Sequence, residues 1–390
     1  MQTYRIHPGI AAITPAMTEL RRAIHAEPEL GFEEFATREK VIRHLREWGY
    51  ELHDLAGTAV VATLRNGEGP MLGLRAELDA LPIQEQSGRP WSSRVPGKMH
   101  ACGHDGHTAM LLAAACELAR ERNWRGTLHL FFQPAEEGHG GSGAKRMLDE
   151  GLFRLFPCDA LFAMHNFPGM PVGRFGVLAG PFMASSDSAS IVIHASGGHG
   201  AMPDKAVDPV VIGASLVMAL QTVVSRNVPP SETAIITTGA FLAGDAPNVI
   251  PQSAELRLSI RALNPQVRQL LRQRVQALAE GHAASFGASA EVTFDNGYPV
   301  LINDPQASRL ATEVIRDWLG DEGLAAGVKP ICASDDFAFW LEEVLGCYLL
   351  IGNGEGHGSC EVHNPGYDFN DQALPLGATF WVRLAQRFLA

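Results

Sequence analysis

The segment MHACGHDGHTAM, residues 99–110, gathers His100, Cys102, His104, Asp105 and His107 into eight positions of a 390-residue chain that has only six cysteines. A thiolate and an imidazole presented together suit a borderline divalent metal. Cys102 and His104 stand two apart, so in an extended segment they project from one side. A structural role is the other reading of the pair, with the cysteine half buried and the histidine capping a helix. Asp105 is expected to N-cap the helix that follows.

A second segment, FFQPAEEGHGGSG, sets Glu136 and Glu137 directly after an apolar run stopped by Pro134. Consecutive side chains diverge, so one carboxylate can bind metal while the other faces a metal-bound water as general base. A solvated acidic turn is the plain alternative. The glycines here lack the Lys-Ser/Thr of a phosphate loop and fit the dinucleotide spacing poorly. His165 in ALFAMHNFPGMPVG and His363 in CEVHNPGYDFND each come where an apolar run gives way to Asn and Pro turn chemistry. One such histidine would be structural. Cys102, His104, Glu137, His165 and His363 together are five donors at four rims, a set suited to two divalent ions sharing a bridge.

Alternating helix and strand patterns must position these donors. Thr14 as N-cap with Pro15 at the first helical position predicts a helix over 14–27, and amphipathic spacing predicts another over 37–48. Short β-rich runs at 59–65, 70–78 and 127–133, with the helical HTAMLLAAACELARERN before the third, make an α/β domain. That places Glu136 and Glu137 at the carboxyl end of a strand, where α/β folds keep their crevices. From 186 to 294 the pattern changes to strand 186–196, helix 208–227, strands 233–241 and 254–263, helix 266–286 and strand 290–294. The order β-α-β-β-α-β is the split ferredoxin-like signature. The chain therefore reads as a discontinuous first domain, 1–183 and 295–390, with 184–294 inserted as a second.

Composition narrows the function. A formal charge of −12 without a Lys/Arg cluster argues against a nucleic-acid partner. The N-terminal stretch lacks a basic region followed by a continuous apolar one, and no run of about 18 apolar residues predicts a membrane span. A cytoplasmic protein with reduced thiols is expected.

In order and spacing, RAELDALPI (75–83), MHACGHDGHTA (99–109), FQPAEEGHGG (132–141), MHNFPGMPVG (164–173), GGHGAMP (197–203), APNVIP (246–251), ASDDFAFW (333–340) and VHNPGYDFND (362–371) resemble the metal-dependent amidohydrolase branch of the aminoacylase and carboxypeptidase-G superfamily. The resemblance covers nearly the whole chain. It implies an α/β metallopeptidase catalytic domain with an inserted ferredoxin-like lid, or dimerisation, domain. It further implies Cys102, His104, Glu137, His165 and His363 as ligands of two divalent ions (manganese, zinc, nickel or cobalt), Asp79 behind them, and Glu136 as general base. The implied substrate is a small N-acyl amino acid, with neither nucleic acid nor membrane as partner. His199, in a Gly-rich turn, and Asn248 are the expected oxyanion donors, and Arg261 the expected holder of the substrate carboxylate. A homodimer or homotetramer joined through the inserted domain follows from the same likeness. Two positions depart from the family pattern, Glu77 for Asp and Asp335 for Glu. Each keeps the charge and changes the reach by one methylene.

Two other classes are weighed against this. A cysteine hydrolase would use Cys102 with His104 or His107, and leaves Glu136, Glu137, His165 and His363 without a task. A non-catalytic binding protein on the same fold would normally have lost Glu136 or a ligand.

Overall fold

The computed structural model describes residues 5–295, 297–356 and 358–390. The chain divides into two compact units, one made of the residues up to Gly180 with Ile302–Lys329 and Phe339–Ala390, the other of Pro181–Leu301 with Pro330–Ala338. The expected insertion, 184–294, lies inside the second unit, but 330–338 belongs there too rather than with the first. Backbone bonds make the attachment: Ile331 N–H to Phe182 O at 2.9 Å and Ala184 N–H to Ala333 O at 2.9 Å. A short stretch attached through two residues, Ile331 and Ala333, carries no periodicity that a sequence reading could detect.

Among the described residues the first unit holds a seven-stranded sheet, in the order Glu51–Leu55, Ala59–Asn66, Gly126–Gln133, Met71–Glu77, Ala160–Pro168, Gly346–Gly354, Phe175–Gly176. The four strands from Gly126–Gln133 to Gly346–Gly354 run parallel. Helices cover such strands on both faces, which is why Gly346–Gly354 is buried at every residue. Their carboxyl ends, at Glu77, Gln133, Pro168 and Gly354, open one rim.

The helix Pro8–His25 corrects the first expected boundary. It begins at Pro8, and Pro15 lies inside it. Pro8 takes the first helical position, where its missing N–H costs nothing. Thr14 caps no terminus, and its hydroxyl donates to Ile10 O at 2.7 Å within the helix. The helix His104–Glu121 corrects the second, for its N-cap is Gly103, at φ 98°, and Asp105 falls in its first turn. Glycine is required there, because a Cβ would stand 2.0 Å from Asn166 Oδ1 and 2.6 Å from the Tyr367 hydroxyl. His104 is thus the first helical residue and does not share an extended segment with Cys102.

In the second unit the described strands order as Ala234–Leu242, Ser253–Ala262, Asp187–His194, Ser289–Asp295, all antiparallel. The helices Pro209–Asn227 and Pro265–Ser285 start at Asp208 and Asn264, whose side chains accept from Val210 N and from Gln266 N and Val267 N, with proline next in each. Pro209–Asn227 is long and apolar enough to cross a membrane by length and composition. Its Ile212, Leu216, Leu220 and Val223 are core residues of this unit, the spacing of one helical face.

Candidate metal centre

All five proposed ligands stand at the carboxyl rim of the parallel strands. His165 is inside Ala160–Pro168, Glu136 and Glu137 follow Gln133, His363 comes after Gly354, and Cys102 directly precedes Gly103 and its helix. His363 adopts φ 67°, an uncommon conformation for a non-glycine residue that tertiary contacts must hold. Its N–H donates to Ala101 O at 2.7 Å, which ties it to the Cys102 segment.

The donor atoms form overlapping triads, Cys102 with His104 and His165, Cys102 with Glu137 and His363, and His104 with Glu136 and Glu137, each with its donor atoms within 4.8 Å of one another. Cys102 belongs to two of them. Its Sγ is 3.2 Å from His165 Nε2, and His363 Nε2 is 3.1 Å from Glu137 Oε1.

The other ring nitrogens are already committed. His165 Nδ1 donates to Asn166 O at 2.7 Å, and His104 Nδ1 donates to Asp79, 2.9 Å from its carbonyl oxygen and 3.1 Å from Oδ1. Both rings are thereby oriented with Nε2 toward the cluster. Among the described residues, His104 Nε2 is buried without a hydrogen-bond partner. A buried imidazole nitrogen in that state, among a thiol and carboxylates, fits a divalent cation.

Electrostatics agree. Burial, then Glu137 and Glu136, push the Cys102 thiol well above its ordinary value. Burial opposes protonation of His104, but Asp79, Glu77 and Glu137 outweigh it and raise its pKa to about 10. His165 goes the other way, lowered to about 3 by burial and by His107 and His104. Burial opposes ionisation of Glu137, but His363, His104 and Cys102 outweigh it and hold its carboxyl below the usual range.

These facts speak against the cysteine hydrolase. A thiol pushed upward beside a neutral His165 is the reverse of an activated thiolate pair. His107 is no general base for it, since Nδ1 is 2.9 Å from Glu77 Oε2 and Nε2 is 2.8 Å from Asn166 Oδ1.

Glu77, one of the two departures, lies beneath the centre between Arg75 and His107, and those two overcome its burial to hold its carboxyl well below the usual range. The other departure, Asp335, accepts from Phe337 N at 2.8 Å as the short helix Phe337–Leu341 begins. The shorter side chain suits that local turn.

His199 and Asn248 come together within the second unit. His199 pairs with Val249 in a two-stranded ladder rather than occupying a free turn, and Gly200 N donates to Asn248 O at 2.9 Å. Ala201 N donates to His199 Nδ1 at 3.1 Å, so in the neutral ring Nε2 carries the proton. Arg261 is on Ser253–Ala262, and its Nη1 donates to Ser334 Oγ at 2.9 Å.

Sequence reading missed the support behind Cys102 and His104. Asp105 Oδ2 is 2.8 Å from His25 Nδ1 and 3.3 Å from Arg21 Nη1, and Arg21 also reaches Asp368 at 2.9 Å. The appearance of Asp105 and His107 one and three residues past His104 was the available signal.

The family model of peptidase family M20/M25/M40 matches residues 73–387. A hippurate hydrolase of Campylobacter jejuni is 40% identical over 384 residues, covering 98% of this chain and 99% of that protein. An N-acetylcysteine deacetylase of Bacillus subtilis is 37% identical, covering 95% and 96%. The solved Bacillus subtilis YXEP protein, described as a dinuclear metal binding peptidase from the M20 family, superposes with a TM-score of 0.85 at 33% identity, covering 97% of this chain and 99% of that one.

Proposed function

The chain belongs to peptidase family M20/M25/M40 and is a hydrolase of amide bonds, and on that premise we propose that it cleaves N-acyl amino acids to a carboxylic acid and a free amino acid. The non-catalytic reading falls with the first half of that statement. The observation that carries the proposal is the set of overlapping triads, in which Cys102 is common to two and Glu136 enters one. The relatives' substrates, as their names give them, are N-acyl amino acids.

In this reading Cys102, His104, Glu137, His165 and His363 hold two divalent cations, as the dinuclear description of the YXEP protein supports. Such a pair supplies Lewis acidity to the attacking water and to the amide carbonyl. Glu136, 6% exposed, takes the water's proton and returns it to the leaving amine. His199 Nε2–H and Asn248 donate to the oxyanion. Arg261 holds the amino-acid carboxylate bidentately. A homodimer or homotetramer joined through the second unit completes the proposal, and that unit's exposed Val211, Met218 and Leu242 supply apolar surface for it.

Glu136→Gln tests the reading. It keeps size and removes the proton acceptor, so turnover of benzoyl- and acetyl-amino acids should fall roughly 10²-fold or more with metal content near wild type. Parallel loss of metal and activity would reassign Glu136 as a ligand. Reloading the stripped protein with manganese, zinc, nickel or cobalt against benzoyl, acetyl and long-chain substrates identifies metal and acyl group together.

A further inference from the structure

Glu34 is wholly buried, yet among the described residues no lysine or arginine pairs with it. Its Oε1 accepts the backbone N–H of Ala135 at 2.9 Å, and its Oε2 accepts the Thr58 hydroxyl at 2.5 Å. Ala135 is the residue immediately before Glu136. It is itself fully buried, and it adopts φ 48°. That left-handed conformation is disfavoured for any side chain bearing a Cβ, so surrounding contacts must impose it. Two contacts flank it: the Glu34 carboxyl oxygen accepting the Ala135 N–H, and Gly143 N–H donating to Ala135 O at 3.0 Å.

The segment that carries Glu34 is shaped to reach this point. Gly31 packs directly on Ala135, where a Cβ would meet Ala135 Cβ at 2.7 Å. Glu29 accepts from Ala36 N at 2.9 Å and Thr37 N at 2.8 Å, fixing the start of the helix Phe35–Glu47 just after Glu34. Ala80 N donates to Glu29 O at 2.8 Å, which ties the same segment to the chain beside Asp79. Thr58, 1% exposed, braces the carboxylate from the far side. Burial pushes the Glu34 carboxyl up to about 7, and the hydrogen bonds from Thr58 and from the Ala135 N–H offset part of the cost of burying it.

We propose that Glu34 is a positioning residue for the general base: by holding the Ala135 N–H it keeps Ala135 left-handed and so aims Glu136. The backbone torsion at Ala135 sets the direction in which the next residue leaves the strand end. A relaxed Ala135 would carry the Glu136 carboxylate away from the water it deprotonates, and small misplacements of a reacting group are expensive in rate. The inference rests on the reading of Glu136 as base.

Four metal-loaded enzymes test it: Glu34→Ala, Glu34→Gln, Glu136→Gln and the double variant Glu34→Ala/Glu136→Gln. Glu34→Ala should lower kcat by about 10- to 100-fold with KM and metal stoichiometry little changed, and its crystal structure should show Ala135 out of the left-handed region. Glu34→Gln keeps an acceptor for Ala135 N–H and a partner for Thr58, so it should stay within several-fold of wild type. With the base already removed there is nothing left to aim, and Glu34→Ala should cost the Glu136→Gln enzyme almost nothing further. An equal loss in both backgrounds, or an unmoved Ala135 with wild-type kcat, overturns the positioning role while leaving the base reading intact. A Glu136→Gln enzyme with wild-type turnover overturns the base reading, and this inference with it. Should Glu34→Ala not fold, Glu34→Asp, which keeps the carboxyl group and shortens the reach by one methylene, carries the same comparison.

Discussion

Asp79 Oδ1 lies 3.1 Å from His104 Nδ1, while its other oxygen accepts the backbone N–H of Glu137 at 2.9 Å. One carboxylate thus orients two proposed ligands, one at the start of a helix and one just past a strand end. In Asp79→Asn the amide must point its NH2 at one of two N–H groups, whichever way it is turned. The second bond of His104 Nδ1, to Asp79 O at 2.9 Å, survives. Metal affinity should fall about 10- to 100-fold, read by competition with a chromophoric chelator. Wild-type affinity in this variant would show that the Asp79 carboxylate does not orient them.

Cys102 is expected to be a poor nucleophile in every state of the protein. Buried and pushed upward in pKa, it should alkylate more slowly at pH 7 than exposed Cys332, which serves as the control within the same chain. Saturating metal should suppress the reaction further. Intact-mass spectra during turnover should show no acyl adduct, and an adduct mapped to Cys102 would sink the metal mechanism.

The buried histidine behind the centre gives a pH prediction. Burial alone would depress His25, but Asp105 and Glu85 outweigh it and raise its pKa to about 9. An unfolded histidine titrates near ~6.5. The folded value is the higher one, so this contribution is complete below pH ~6.5 and is lost as pH climbs through about 9. Metal-free protein should therefore lose on the order of 3 kcal/mol of unfolding free energy between pH ~6.5 and ~9.5, measured by urea titration. His104, raised to about 10, adds to the slope with the same sign, so His25→Gln should reduce the slope without abolishing it, and an unchanged slope in the variant would assign it to other groups.

His199 belongs to the second unit and all five proposed ligands to the first. A His199→Ala chain and a Glu136→Gln chain should each be nearly inactive, the former by roughly 10²-fold in kcat for one lost oxyanion donor. If the histidine serves a neighbouring subunit, mixed oligomers regain a complete site. No recovery, with subunit exchange confirmed, would restrict it to its own chain.

Sequence made the donors legible because thiol, imidazole and carboxylate cluster at strand ends, and the alternation of 186–196 or the helical spacing of 208–227 needs no distant partner to be read. What stayed hidden depended on contacts across the chain. The partner of Asp105 is His25, eighty residues away. Local rules offered Asp105 as a cap, and the crowding of Asn166 and Tyr367 around Gly103 decided otherwise. Pro15 looked like a helix start because proline usually is one. The earlier Pro8 took that place, and the helix tolerated the second proline inside it. Glu34 gave no signal at all, since its partner is a backbone N–H one hundred and one residues on.

The stretch 330–338 makes the second unit a poor module for transplantation. Cutting at 184 and 294 would leave behind Ser334, which fastens Arg261. A chimera that borrows the second unit from a relative with another acyl preference would then carry a guanidinium without its matched clasp. Exchanging 330–338 along with it keeps the pair co-inherited, so the Arg261–Ser334 bond should travel with two chain segments rather than one.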